Sequence, residues 1–382
     1  MKKTLVLINI TGLIIGISYG IHNPIVPIFA KNEIGASYAE LGLIGLANFI
    51  PYMFIPVIVG ILLGSFNNGR LLSVGVAINV ASVYLLSVAK TVPEVMALRA
   101  LTGVAHAFFW PPAESIIANS SQSGSRVKHI GQFTGFFVSG FMIGPLVGTF
   151  LIEGLDVTYR MLFVIATFIM AAAIISSLKL GQKDSPRTGA KFSFSGIKEV
   201  AKFPIVVVLL IYCASSFGII LTIYPAFLND RSMSATEIEI LYFVFGASRV
   251  ITLALTEKLA KKTAVTLIAS CGTISAGLAL SFLSHSIFEF AAAMLMMGFG
   301  FSIMFPLTLE VILRRIPKES SGATIGAYET TFGIGWAAGP ITAGLISEFS
   351  SSAMPYVVFF AIGVGVFVLS AAKKNVLEPV AS

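Results

Sequence analysis

The sequence predicts an all-α membrane protein with twelve transmembrane helices in two six-helix pseudo-symmetric bundles. Three observations carry that expectation: a charge-poor composition, a series of apolar runs of bilayer length, and a repeat that maps one half of the chain onto the other. Of the 382 residues, 56% are hydrophobic and 11% charged, and the mean hydropathy is +0.91. A soluble domain carries about a quarter charged residues, so this composition excludes one.

The apolar runs fall at about 4–30, 38–64, 70–89, 92–119, 125–154, 157–180, 200–228, 236–258, 263–284, 287–315, 320–348 and 352–373. Each is long enough to cross a hydrocarbon core about 30 Å thick. The first is too long for a signal-peptide core, lacks a small-residue cleavage site and precedes eleven more, so it reads as a span.

The net charge of +7 reflects topology and gives no support to a nucleic-acid partner. With Lys2 and Lys3 placed in the cytoplasm, the segments on that side hold nineteen of the 25 Lys and Arg. The outer loops hold four (Lys31, Lys90, Arg160, Arg231), and two (Arg99, Arg249) lie inside spans. That asymmetry is the positive-inside pattern, which implies a multi-pass protein of the cell membrane with both termini cytoplasmic. Cys213 and Cys271 both fall within spans, which excludes a disulfide framework. No spacing suits a metal, a phosphate loop or another cofactor, and no nucleophile and base stand together, so neither a cofactor nor enzymatic activity is expected.

The polar linker "GQKDSPRTGAKFSFSG" divides the chain into a bundle at 1–180, a cytoplasmic linker at 181–199 and a bundle at 200–382. Across it, "GQFTGFFVSGFMIGP" (131–145) aligns with "GAYETTFGIGWAAGP" (326–340) at an offset of 195, with seven of fifteen positions identical or aromatic for aromatic. "SYGIHNPIVP" (18–27) faces "SFGIILTIYP" (216–225), and Gly103 and Pro111 match Gly298 and Pro306. Two halves repeated in one sense are a known layout of secondary transporters.

Within "GFMIGPLVG", Gly140, Gly144 and Gly148 form a smooth stripe beside Pro145; Gly335, Gly339 and Pro340 repeat it. In water such glycines and a proline would weaken a helix by about 1 and 3 kcal/mol each. In lipid, helices associate through close backbone contact at small residues, and neighbours re-satisfy the carbonyl a proline frees. The stripe reads either as a plain packing groove or as a surface on which helices rock.

These features together resemble the major facilitator superfamily over nearly the whole chain. "GFMIGPLVG" is similar to its fifth-helix signature G-x-x-x-G-P-x-x-G, described chiefly in proton-coupled drug exporters, and "RALTG" (99–103) to its fourth-helix R-x-x-x-G element. The family's G-x-L-x-D-R-x-G-R-R loop is degenerate here. "GILLGSFNNGR" keeps Gly60 and Leu62, and Gly69 and Arg70 after an insertion, but Gly64 and Ser65 replace the Asp–Arg pair. The matching loop "LTEKLAKK" keeps Glu257 and Lys258. If these loops latch a cytoplasmic gate, as the resemblance implies, the latch rests on the second half. The resemblance also implies a small-molecule carrier, monomeric, with a central cavity lined by the first, fourth, seventh and tenth helices.

Ionisable residues inside the bilayer are expensive and invite a functional reading. On an ideal helix, Arg99, Gly103, His106, Trp110 and Glu114 fall within an arc of about 80°. Arg99 reads as either a structural clasp or a coupling residue, and His106 as a satisfied polar group or a proton carrier. Trp110 is cavity wall, and Glu114 either lines the cavity or reaches cytoplasmic water. Tyr19, His22 and Asn23 add a polar cluster to the first span, with no acid among them. In the second half, Glu310 and Glu329 supply acids, Trp336 shares a face with Glu329, and Arg249 is expected to pair with Glu329 or else Glu310. Two substrate readings follow: lipophilic or cationic compounds exported against protons by way of the acids, or an organic anion clamped by Arg99 and Arg249. A transporter-like receptor or passive channel is the reading from another class.

Overall fold

The computed structural model describes residues 2–23, 25–36, 38–181, 195–233 and 235–378; thirteen of the residues assigned to the linker lie outside these, as does Pro24. The described residues form helices and connecting turns, with no strand among them. The first half comprises α1 (Lys2–His22), α2 (Ile25–Asn32), α3 (Tyr38–Leu62), α4 (Asn68–Leu86), α5 (Val92–Ala107), α6 (Trp110–Ser120), α7 (Arg126–Thr149) and α8 (Tyr159–Gly181). After α9 (Ser195–Ala201) come α10 (Pro204–Thr222), α11 (Tyr224–Asp230), α12 (Ala235–Ala254), α13 (Thr256–Leu259) and α14 (Thr263–Leu283). The chain closes with α15 (Ile287–Leu313), α16 (Ser321–Phe349), α17 (Met354–Ala372) and α18 (Lys374–Leu377).

Among the described residues, nine helices are long and apolar enough to cross a bilayer. The other three expected spans are present in altered form. The fourth is broken into α5 and α6, the eighth keeps an apolar stretch at Ile240–Ala254, and the eleventh is the 29-residue α16. The protein is thus an all-α, twelve-span membrane protein.

The breaks follow proline chemistry. Pro111 and Pro112 stand in the first turn of α6; each lacks an amide donor and disfavours helical backbone in the residue before it. The arc drawn through Arg99 and Glu114 therefore ends at Ala107, and Trp110 and Glu114 are set by a new helix. Pro306 acts alone, and α15 runs through it unbroken. α5 and α15 begin alike: Thr91 with Glu94, and Ser286 with Glu289, each form a reciprocal capping box. The two boxes satisfy orphan amides at both helix starts and sit at the repeat offset of 195.

Packing repeats the same plan in each half. In the first, α3 packs on α5, α4 on α8, α1 on α8 and α4 on α5; in the second, α12 packs on α15, α14 on α17, α10 on α17 and α14 on α15. Glycine sets the closest approaches. A Cβ added at Gly103 would stand 2.1 Å from the Asn48 carbonyl oxygen, and one at Gly298 2.7 Å from that of Phe245. α7 meets α1 through Gly140 and Gly144, whose added Cβ atoms would each lie 2.4 Å from α1 backbone. α16 meets α10 through Gly335 and Gly339, at 2.8 Å from Ala214 and 2.0 Å from the Ser215 oxygen. Gly148 departs from its group, because its nearest neighbour would be an ordinary 3.7 Å away. The side chain of Pro145 lies outside the described residues.

Two compact units emerge, and each takes in a segment from the opposite half. The first unit holds residues 1–122, 132–197 and 318–330; the second holds 123–131, 198–317 and 331–382.

Candidate functional site

In the first unit, a buried polar cluster forms where α1, α4 and α5 meet. Tyr19 stacks on His106 with ring centroids 4.6 Å apart and planes at 12°. Its hydroxyl accepts a hydrogen bond from Asn79 Nδ2 at 2.7 Å. His22 donates from Nδ1 to the Ser18 carbonyl at 2.6 Å; a carbonyl only accepts, so the hydrogen is on Nδ1. Its Nε2 has no partner, and neither do Asn23 Oδ1, Asn79 Oδ1 or Arg99 Nη1. Arg99 is 8% exposed and close enough for its charge to act on Tyr19, His22 and His106. Among the described residues no carboxylate forms an ion pair with it.

A second cluster lies in the same unit, and the two meet at Tyr52. The Tyr52 ring stands edge-on to His106, centroids 6.2 Å apart, and its hydroxyl donates to Glu329 Oε2. Glu329 and Glu114 are each 1% exposed. Both Glu114 oxygens and Glu329 Oε1 meet no donor. The two carboxyl groups are near enough to hydrogen-bond to each other once one carries a proton. Glu114 is therefore buried beside a second acid, which overturns the reading of it as a residue reaching cytoplasmic water.

The second unit handles its charges differently. Arg249 places its guanidinium over the rings of Phe217 at 4.9 Å and Phe245 at 5.5 Å, so ring faces attract the cation where a carboxylate was expected. Glu329, its expected partner, has Tyr52 and Glu114 as the partners within its own unit. Glu310 receives a hydrogen bond from Arg314 Nε at 2.6 Å and lies 3.6 Å from Arg126 Nη1. Trp336 packs against Phe217 and Phe332, with centroids at 5.9 and 5.6 Å.

Comparison with known proteins follows from this architecture. The family model described as Major Facilitator Superfamily matches residues 8–340, and again 205–380. The chain belongs to the Major Facilitator Superfamily. It is similar to multidrug resistance protein 1 of Bacillus subtilis (strain 168), 25% identical over 375 residues, covering 95% of this chain and 94% of that one. It is similar to the quinolone resistance protein NorA of Staphylococcus aureus over 180 residues, 26% identical, covering 47% of this chain and 45% of the relative. The human organic anion transporter MFSD10 (TETRAN) shares the fold, with a TM-score of 0.79 over 97% of this chain and 99% of that one, at 12% identity.

In this superfamily transporter, the gate-loop residues take different parts. Gly60 lets α3 touch α16: an added Cβ would stand 2.7 Å from the Gly326 Cα. Gly69 is buried in the first turn of α4, whose start Asn67 caps by accepting from the Arg70 amide at 2.9 Å. The Arg70 side chain and Lys258 are exposed. Glu257 pairs with Lys128 at 2.7 Å, so it is tied to the start of α7. Sequence reasoning passed over Tyr52, Arg126, Lys128 and the pair Gly322 and Gly326. Tyr52 was open to detection as the one hydroxyl within "FIPYMFIP". The glycines, four residues apart, carry the spacing of a close helix contact.

Proposed function

We propose that this transporter exports amphipathic small molecules in exchange for protons, with Glu114 and Glu329 as the proton-carrying pair. The observation that carries the reading is a buried pair of carboxyl groups with no basic partner among the described residues. Among the described residues Tyr52 from α3 donates to the pair, and Tyr328 on α16 acts on Tyr52; neither is a base. Two ionised carboxylates in contact repel, and neither can donate. One proton removes the repulsion and turns the contact into a hydrogen bond. A group that gains so much from a single proton is suited to take it up on one side of the membrane and release it on the other. The names of the bacterial relatives, multidrug resistance and quinolone resistance, support efflux of varied apolar compounds. In this reading the chain works as a monomer, with both termini cytoplasmic. The bundles at 1–180 and 200–382, joined by 181–199, alternate access to the site.

Everted vesicles acidified inside test it directly. A lipophilic fluorescent substrate accumulates in the wild type and leaks back when a protonophore collapses the gradient. Glu329→Gln and Glu114→Gln each abolish gradient-driven accumulation while leaving substrate binding in place. Accumulation that keeps its pH dependence in Glu329→Gln rules out the pair as the proton carrier.

A further inference from the structure

Arg99 is a buried cation with no anion paired with it among the described residues. Its partners should be sought in the residues around it, but these supply no charge. Tyr19 accepts from Asn79, which leaves the phenol's own hydrogen free to donate. His106 lies flat on the Tyr19 ring at 4.6 Å and holds it in place. Arg99 Nη1 has no acceptor. Arg99 Nη1–H and the Tyr19 O–H are thus two unused donors within the cluster that α1, α4 and α5 form.

The acid pair does not neutralise this cation. Among the described residues no carboxylate is paired with Arg99, and Glu114 and Glu329 lie together beside Tyr52. The rings of His106 and Tyr52 lie between the two clusters. An aromatic wall adjoins Tyr19: Phe137 has its centroid 6.1 Å from the Tyr19 ring and 5.0 Å from Trp110. Phe137 and Trp110 are both half-buried.

We propose that this polar cluster receives the carboxylate of an aromatic acid, held by Arg99 and the Tyr19 hydroxyl, with its ring body against Phe137 and Trp110. The proposal rests on the reading of the chain as a carrier of amphipathic small molecules, and narrows the substrate class to those bearing a carboxylate. A guanidinium and a phenol aimed at one oxyanion give charge-assisted hydrogen bonds, the stronger kind. A flat ring system stacks on the aromatic wall.

The test is isothermal titration of the detergent-purified full chain with 2-naphthoate and its neutral isostere 2-naphthamide. It is run at one pH with no gradient, so its outcome does not depend on proton coupling. The wild type binds the acid about tenfold or more tighter than the amide, as a charged hydrogen bond to a buried group implies. Arg99→Gln removes that preference and leaves both ligands at the affinity of the amide. Equal affinity for the two ligands in the wild type, or a preference that persists in Arg99→Gln, overturns the proposal. If Arg99→Gln is not monodisperse, Tyr19→Phe replaces it. The preference then falls by about threefold for one lost donor, and an unchanged preference again overturns the assignment.

Discussion

Glu310 on α15 and Glu329 on α16 are both buried, at 2% and 1% exposure, yet the two units treat them in opposite ways. Glu310 sits between Arg314 and Arg126, and its charge is matched by cations one helical turn away and at the start of α7. Glu329 has a phenol and a second acid. The arginines differ in what they meet: Arg249 lies over two ring faces, while Arg99 has no carboxylate paired with it among the described residues; each keeps one buried nitrogen without an acceptor. A buried charge with a full set of partners is a structural element. One that lacks them stores an unmet demand, which a proton or a substrate can meet. Glu310, matched by two arginines, follows the first principle, and the acid pair of the first unit the other.

Removal of Glu310 gives the largest effect. Glu310→Ala leaves Arg126 and Arg314 without their buried partner and lowers stability by about 3–5 kcal/mol, seen as a large fall in thermal unfolding temperature in detergent. Glu329→Gln changes stability by less than about 1 kcal/mol, because the amide suits a carboxyl neighbour without a base. Equal losses in the two variants would erase the distinction between the units.

Packing, by contrast, is shared, and this sharpens the comparison. Gly144→Ala on α7 and Gly339→Ala on α16 each force a Cβ against backbone, at 2.4 and 2.0 Å, and cost about 1–3 kcal/mol in either unit. Gly148→Ala, with its nearest contact at 3.7 Å, stays within about 0.5 kcal/mol by the same melting assay. If Gly148→Ala costs as much as Gly144→Ala, the three glycines act as one stripe after all.

The hydroxyl that touches the acid pair sharpens the comparison through a coupling. Tyr52→Phe loses one hydrogen bond to Glu329, worth about 1.5 kcal/mol. In a Glu329→Gln background it costs at most half as much, because the charge that strengthens the bond is gone. A double-mutant cycle on unfolding temperature reads the coupling. Full additivity would mean that Tyr52 supports the fold independently of Glu329.

The span count, the repeat and the close glycine contacts were legible because each is a local or periodic property. Bilayer length needs about 20 apolar residues in a row, and a small-residue contact needs glycines four apart. The capping boxes of α5 and α15 were equally open to reading, as Thr91 with Glu94 and Ser286 with Glu289. The partners of buried charges were not legible. Arg249 and Glu329 are the mid-span groups of opposite sign in the second half, and charge alone joins them. Nothing along the chain reports that Phe217 and Phe245 bring their faces to the guanidinium. Nor does it report that Glu114, 215 residues before Glu329, ends beside it once Pro111 and Pro112 start a new helix.

The amino-acid sequence by itself determined that this protein lives in a bilayer, that its spans number twelve, and that its two halves share one plan. Hydrophobic length and repeated spacing set those properties wherever the helices finally pack. Only the tertiary structure decided which charges are paired and which are left unmet. A carboxylate's partner is whatever group comes within about 3 Å of it, and contacts between distant helices fix that distance. Glu310 became an anchor and Glu329 one half of an acid pair through the neighbours that folding supplied.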